Sequence, residues 1–225
     1  MSVHEMINVK QEELRVLRED RDMGMIEKLN DPNYYPILHV LRHGPMTVQE
    51  LKTNYDDFVD AECQNIENCK YSKKSDKTIY RYIKDLEAVN LVVAAGKRVT
   101  IGKTAAETLY SRKSKVIYLA GSSQKWWESE AGHKFNEKII KLLELYLDKK
   151  VKSTDILMQN INEFFTEHNN ETAKALEENI EGFGEVFKEA TDFGEVQKLF
   201  RHLSIMIAFI CDKDDKRKQI LDCFE

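Results

Sequence analysis

Apolar positions fall at helical spacing along most of the chain, with one interruption near its middle. Residues 5 to 29 carry a broken stripe of Ile7, Leu14, Leu17, Met25 and Leu29 in a charged background, which predicts one N-terminal amphipathic helix. "NDPNYYP" ends it. A second helix begins near Tyr34, with Pro36 in its first turn and Ile37, Leu38, Val40 and Leu41 for a core. Gly44 stops that helix, followed by Pro45. Thr47 and Glu50 have the spacing of a capping box, ahead of Val48, Leu51, Tyr55 and Phe58 on one face. This third helix runs to about Ile66, and a loop covers Glu67 to Lys74.

Ser75 or Asp76 caps the next helix. Its Ile79, Ile83 and Leu86 recur at i, i+4, i+7, with Tyr82 at the edge of that face. After Asn90 the period changes. "LVVAAGKRVTIG" is rich in β-branched residues around a glycine and predicts a hairpin, with Gly96 and Gly102 as turn residues. "KTAAET" is the loop or tip, and "LYSRKSKVIYL" a further strand that passes into helix near Ser114. "AGSSQ" at 120 to 124 is a linker.

Beyond the linker the chain is helical again. Phe135, Ile139, Leu142, Leu143, Tyr146 and Leu147 form one stripe. A second helix starts near Ser153, a third covers "ETAKALEENIEGF", and "DFGEVQKLFRHLSIMIAFICD" is the most apolar. "KRKQILDCFE" closes the chain with a short amphipathic end. The Trp126–Trp127 pair reads as packing between domains, with the lining of a ligand pocket as the alternative. The pattern predicts a mainly α chain with a small β-hairpin wing. Residues 1–30 form a helix for dimerisation or packing, 31–120 a winged helix-turn-helix domain, and 125–225 an α-helical bundle.

Composition supports helix: nine Gly and three Pro in 225 residues argue against a loop-rich all-β fold. The net charge of -5 hides an asymmetry. Between Lys70 and Ala120 stand 12 Lys and Arg against 4 Asp and Glu, while the remainder holds 22 against 35. A basic block in an acidic chain points to a polyanion-binding surface, with a solvated face as the plainer alternative. The acidic 125–225 segment would be turned away from DNA.

Lys77, Arg81 and Lys84 lie at helical spacing opposite the apolar stripe, flanked by Thr78 and Tyr80 and preceded by Ser75. Lys97, Arg98 and Lys103 lie on the hairpin. A helix that enters the major groove with its first turns needs cations and hydrogen-bonding groups there, and a basic hairpin reaches adjacent phosphates. These nine residues are the expected DNA contacts.

Four cysteines form no CxxC pair, and reduced thiols are the expectation. Cys63 and Cys69 with His39 or His43 match no zinc spacing, and Cys211 and Cys223 read as small core residues, so no metal or cofactor is expected. No Walker motif, GxGxxG or catalytic triad spacing occurs, and an enzyme has no positive support. The N-terminus lacks the apolar stretch of a signal peptide, and the run at 203 to 211 is half a membrane span, so a cytoplasmic protein is expected.

"KTIYRYIKDLEAVNLV" followed by "AGKRVTIGKTAAETLYSRKSKVIYL" resembles the archaeal ArsR-like winged helix-turn-helix transcriptional regulators. The resemblance rests on Lys77, Thr78, Ile79, Tyr80, Arg81, Leu86, Glu87, "NLV" at 90 to 92 and the wing segment "GKTAAETLYSRKSK", and covers roughly residues 33 to 120. It implies a homodimer bound to double-stranded DNA, with the C-terminal domain open to an effector or protein partner. Two features depart from the family. No cysteine pair stands in the helix at 76 to 88, which excludes thiolate metal sensing there. The stretch from Val59 to Lys74 is longer than a tight turn. A second reading is a winged-helix interaction module within a transcription or repair assembly.

Overall fold

A computed structural model of the chain describes residues 3–64, 66–100, 105–120, 129–188, 193–211 and 214–224. They are mostly helical, with small sheets, and divide into two compact units, Met1–Ile117 and Tyr118–Glu225.

The first unit departs from expectation at its start. In place of one helix it opens with two strands, β1 (Val3–Ile7) and β2 (Glu12–Arg18), and helix begins only at α1 (Glu19–Asn30). Leu14 and Leu17 fit a helical stripe, but Leu14 and Val16 equally fit a strand with alternate residues inward, and all three are buried. Distant partners decide the matter. β1 pairs with β3 (Val92–Thr100), and β2 pairs with β5 (Ser114–Ala120).

α2 (Tyr35–Val40) carries Pro36 in its first turn and passes into a 3-10 turn, Leu41–His43. Gly44 follows at φ +123°, a backbone conformation that suits a residue without a Cβ. α3 (Val48–Cys63) starts at a complete capping box: the Thr47 hydroxyl accepts from the Glu50 N–H, and the Glu50 carboxylate accepts from the Thr47 N–H. α3 ends at Cys63, short of Ile66.

Cys63 and Cys69 are joined by a disulfide, which corrects the reading of reduced thiols. The segment that follows folds back on α3. The Tyr71 ring stacks on Tyr35 and meets Phe58 edge-on at 5.2 Å, Tyr55 Oη donates to the Ser72 carbonyl at 3.3 Å, and Lys73 pairs with Asp60 at 2.6 Å.

α4 (Asp76–Ala88) then lies over the core formed by α2 and α3. Ile37, Leu51, Tyr55, Ile79, Ile83 and Leu86 are its innermost side chains. The hairpin is β3 with β4 (Glu107–Arg112), but β1 covers its other edge, so the sheet has three strands in the order β1-β3-β4. Gly96 is no turn residue. It sits inside β3 at a bulge, opposite Ile7, where a Cβ would stand 2.0 Å from the Met6 carbonyl oxygen. Past Arg112 the chain continues as strand β5, with no passage into helix at Ser114. Gly102, the loop from 101 to 104, most of the "AGSSQ" linker, and Trp126 and Trp127 lie outside the described residues.

The second unit contains α5 (Glu130–Leu147), α6 (Thr154–Glu178), α7 (Ile180–Lys188), α8 (Phe193–Cys211) and α9 (Asp214–Leu221). Two helices were expected where α6 runs unbroken for 25 residues from its Ser153 cap. "HNNETAK" contains no Gly or Pro, and asparagine costs a helix well under ~1 kcal/mol per residue. Buried Thr172 and Ala173 within it and Leu176 just after it anchor this part of the helix. One core joins Ile140, Leu157, Met158 and Ile161 to Cys223 and Phe224. α5 turns Gly132, Asn136 and Ile140 inward and leaves Phe135, Leu142 and Tyr146 of the expected stripe in solvent.

Candidate nucleic-acid interface

α4 is held by its apolar face, and that fixes what its other face presents. Ile79, Ile83 and Leu86 are fully buried, and Tyr82 is buried beside them. At 100° per residue Lys77, Arg81 and Lys84 lie within an arc of about 60° on the opposite side. The Ser75 hydroxyl caps the helix, accepting from the Thr78 N–H at 3.3 Å, and its oxygen lies 3.0 Å from Thr78 Oγ1. Two of the expected contacts, Ser75 and Thr78, are thus joined to each other at the helix start. Asp76 in the first turn suits the positive end of the helix dipole.

The three cations of the stripe are not equivalent. Lys77 and Arg81 are exposed and make no ion pair among the described residues. The Arg81 guanidinium rides 5.4 Å from the centre of the Tyr82 ring, which orders it without neutralising it. Lys84 pairs with Glu87 at 2.6 Å and lies 5.4 Å from the Tyr80 ring. The Glu87 hydrogen bond raises the Lys84 pKa above its ordinary value. Tyr80 itself is exposed.

On β3 the residues alternate. Lys97 points outward, across from Met6 on β1 and Thr108 on β4, and makes no ion pair among the described residues. Arg98 points inward and pairs with Glu50, the carboxylate that closes the α3 capping box. Burial pushes the Glu50 carboxyl up, but the Thr47 N–H, Arg98 and the Thr47 hydroxyl outweigh it and set it below its ordinary value. Arg98 therefore ties the hairpin to the start of α3. Lys103 lies outside the described residues.

Of the eight expected contacts among the described residues, Arg98 is committed internally, and the other seven stand on α4, its Ser75 cap and β3. The sequence marks the stretch from Val59 to Lys74 as what aims α4, but not the contacts that hold it. The Cys63–Cys69 bridge, Tyr71, Ser72 and Lys73 bind the preceding segment to α2 and α3, up to Lys74, whose ammonium donates to Ser72 Oγ at 2.7 Å beside the Ser75 cap. The signals were the six-residue cysteine spacing and the lone Tyr71 in a polar stretch.

Among the described residues no group of His, Cys, Asp and Glu is placed to hold a metal ion, and no helix is long and apolar enough to cross a membrane. No protein-family model matches the chain, and no curated protein matches it.

Proposed function

We propose that residues 31–120 form a winged helix-turn-helix domain and that the protein is a sequence-specific, DNA-binding transcriptional regulator acting in the cytoplasm as a homodimer. One observation carries this reading: α4 buries its whole apolar face and turns Lys77 and Arg81, free of acid partners among the described residues, outward from its first two turns. In this reading those turns enter the major groove, where Arg81 meets a guanine edge or phosphate and Lys77, Thr78 and Tyr80 meet the backbone. Lys84, shared with Glu87, contributes less. Lys97 and Lys103 reach neighbouring phosphates, and Arg98 steadies the hairpin. The homodimer reading draws support from the apolar side chains that α5 and α8 leave in solvent.

Fluorescence titration with genomic duplex fragments tests the proposal. Each phosphate-neutralising cation adds about 0.9 to the slope of log K against log salt. Lys77→Ala with Arg81→Ala should cost about 2–4 kcal/mol and flatten that slope by up to ~2. Absence of salt-dependent binding to any duplex sinks the reading. The same exposed apolar faces favour a second one, a docking module for another protein; a stable partner captured by a chain with no duplex affinity selects it.

A further inference from the structure

The segment that leads into α4 is held at its start by a covalent bond. Cys63 is the last residue of α3, and its bridge to Cys69 spans a sequence separation of 6. Packing gives the loop so closed little. Ile66, the one apolar side chain inside it, is 56% exposed, and Gln64, Glu67 and Asn68 are exposed as well. The Ile66 N–H donates to the Cys63 carbonyl at 3.2 Å. Past the bridge, contacts carry the hold onward. Cys63 Sγ lies 3.5 Å from the Tyr71 carbonyl oxygen, and the Tyr71 ring, Ser72 and Lys73 then bind to α2 and α3. Next comes Ser75, whose hydroxyl accepts from the Thr78 N–H and whose carbonyl accepts from the Ile79 N–H at 2.9 Å. Lys77 lies inside that first turn. The order of the loop therefore reaches the first turns of α4 along the chain itself, with no other element between.

The surroundings suit a bond that opens. Both cysteines are partly exposed, which gives a small thiol access to the bridge. A bridge across so short a loop removes less entropy from the unfolded chain than one joining distant elements, so it is a weak staple. In a cytoplasm kept reducing by small thiols, the disulfides that form are transient, redox-sensing or catalytic ones, and exposed bridges belong to the labile class.

Resting on the reading of α4 as the helix that meets DNA, we propose that Cys63–Cys69 is a thiol–disulfide switch on duplex binding. Closed, the bridge fixes the segment that aims Lys77 and Arg81. Opened, it gives that segment conformational freedom which DNA must take back, and affinity falls. In the opening step the thiolate of a small thiol attacks one bridge sulfur, the S–S bond breaks, and the other cysteine leaves as a thiolate that takes up a proton. A second thiolate attacks the mixed disulfide and releases the first cysteine. The bridge gains two electrons and two protons, and the small thiol departs as its own disulfide. A small-molecule disulfide reverses the sequence.

Three measurements on the full chain test the switch, each on the oxidised form and on the form reduced with dithiothreitol. Alkylation with peptide mapping reads the bridge while circular dichroism reads the fold. Cys63 and Cys69 should become alkylated with helix content unchanged; a bridge that stays closed until the chain unfolds overturns the switch. Hydrogen exchange reads the approach to α4. The amides of Ile66, Thr78 and Ile79 should exchange at least ~10-fold faster after reduction, and unchanged protection overturns it. Duplex titration reads the consequence. The reduced form should bind at least ~10-fold more weakly, about 1.4 kcal/mol, and Cys63→Ser with Cys69→Ser should match it in both conditions. Equal affinity of the two wild-type forms overturns the switch while the DNA reading stands, and so does a redox effect that the double variant keeps. Duplex binding by neither form removes the DNA reading, and hydrogen exchange then decides whether the bridge governs the first turns of α4. If the double variant fails to fold, the two wild-type forms decide.

Discussion

The two units bury their apolar residues to different degrees. In Met1–Ile117 the innermost side chains of α2, α3 and α4 are fully buried, and α4 shows charge and the Tyr80 ring to solvent. In Tyr118–Glu225, Leu142 is 61% exposed, Tyr146 85% and Ile210 74%. On α5, Phe135, Leu142 and Tyr146 follow at i, i+7, i+11, and on α8, Leu199, Met206 and Ile210 repeat that spacing in solvent. A solvent-facing heptad stripe is the pattern of a helix–helix seam. The same periodicity therefore does two jobs in one chain. It states that a helix has an apolar face, but not whether its own unit covers that face.

The largest contrast is in stability. Ile83→Ala should cost the first unit about 2–5 kcal/mol, because it opens a cavity at a fully closed position. Leu142→Ala should cost the second unit less than ~0.5 kcal/mol in dilute protein. Urea denaturation followed by circular dichroism measures both. Equal costs would remove the distinction between a closed core and an open face.

Next in size is association. Leu142→Glu with Tyr146→Glu should weaken a dimer by at least ~2 kcal/mol, about 30-fold in Kd, while leaving helix content unchanged. Sedimentation equilibrium decides. A wild type that stays monomeric at high concentration breaks the reading of the α5 stripe as a seam between copies.

What could be read from the sequence shares one property: it was written within a few residues. Gly44, the Thr47–Glu50 box and the Ser75 cap each depend on one turn of backbone, and all appear where the residue types place them. So does the buried face of α4. What was missed depends on distance along the chain. β1 is a strand because β3 offers it an edge about ninety residues later, and the one local trace is Gly96, which makes room for the Met6 carbonyl. Arg98 looked like a free cation because Glu50, its partner, lies 48 residues away. The Lys84–Glu87 pair, at i, i+3, was legible and discounts one of three aligned cations. Cysteine spacing alone does not give pairing, so Cys63–Cys69 was read as two thiols.

That disulfide sharpens the comparison further. It closes a short loop in the first unit only, and removing it through Cys63→Ser with Cys69→Ser should cost roughly 2 kcal/mol by the loop-entropy estimate. Thermal unfolding should show the loss in the first unit's transition, with the second unit's unchanged. A loss shared by both transitions would mean that the units do not unfold independently.

The smallest expected effect separates holding from binding on the hairpin itself. The Glu50 carboxyl lies below its ordinary value in the fold, so its contribution is fully present above the unfolded value near pH ~4.3 and fades as pH falls through the lower folded value. Glu12 titrates in the same direction, with burial opposing and Arg15, Ser114 and Lys113 prevailing, so only the difference between wild type and Glu50→Gln isolates the cap. That difference should be about 1 kcal/mol near neutral pH, the worth of an N-terminal cap, since the partly exposed Arg98 pair adds little after solvent screening. It should shrink below pH ~4. Arg98→Ala should lower stability by less than Glu50→Gln does, with the same pH dependence, whereas Lys97→Ala should leave stability unchanged and reduce the salt slope of duplex binding by about 1. If Arg98→Ala instead reduces the slope and spares the fold, Arg98 leaves Glu50 for phosphate when DNA arrives, and the division between holding and binding on β3 gives way.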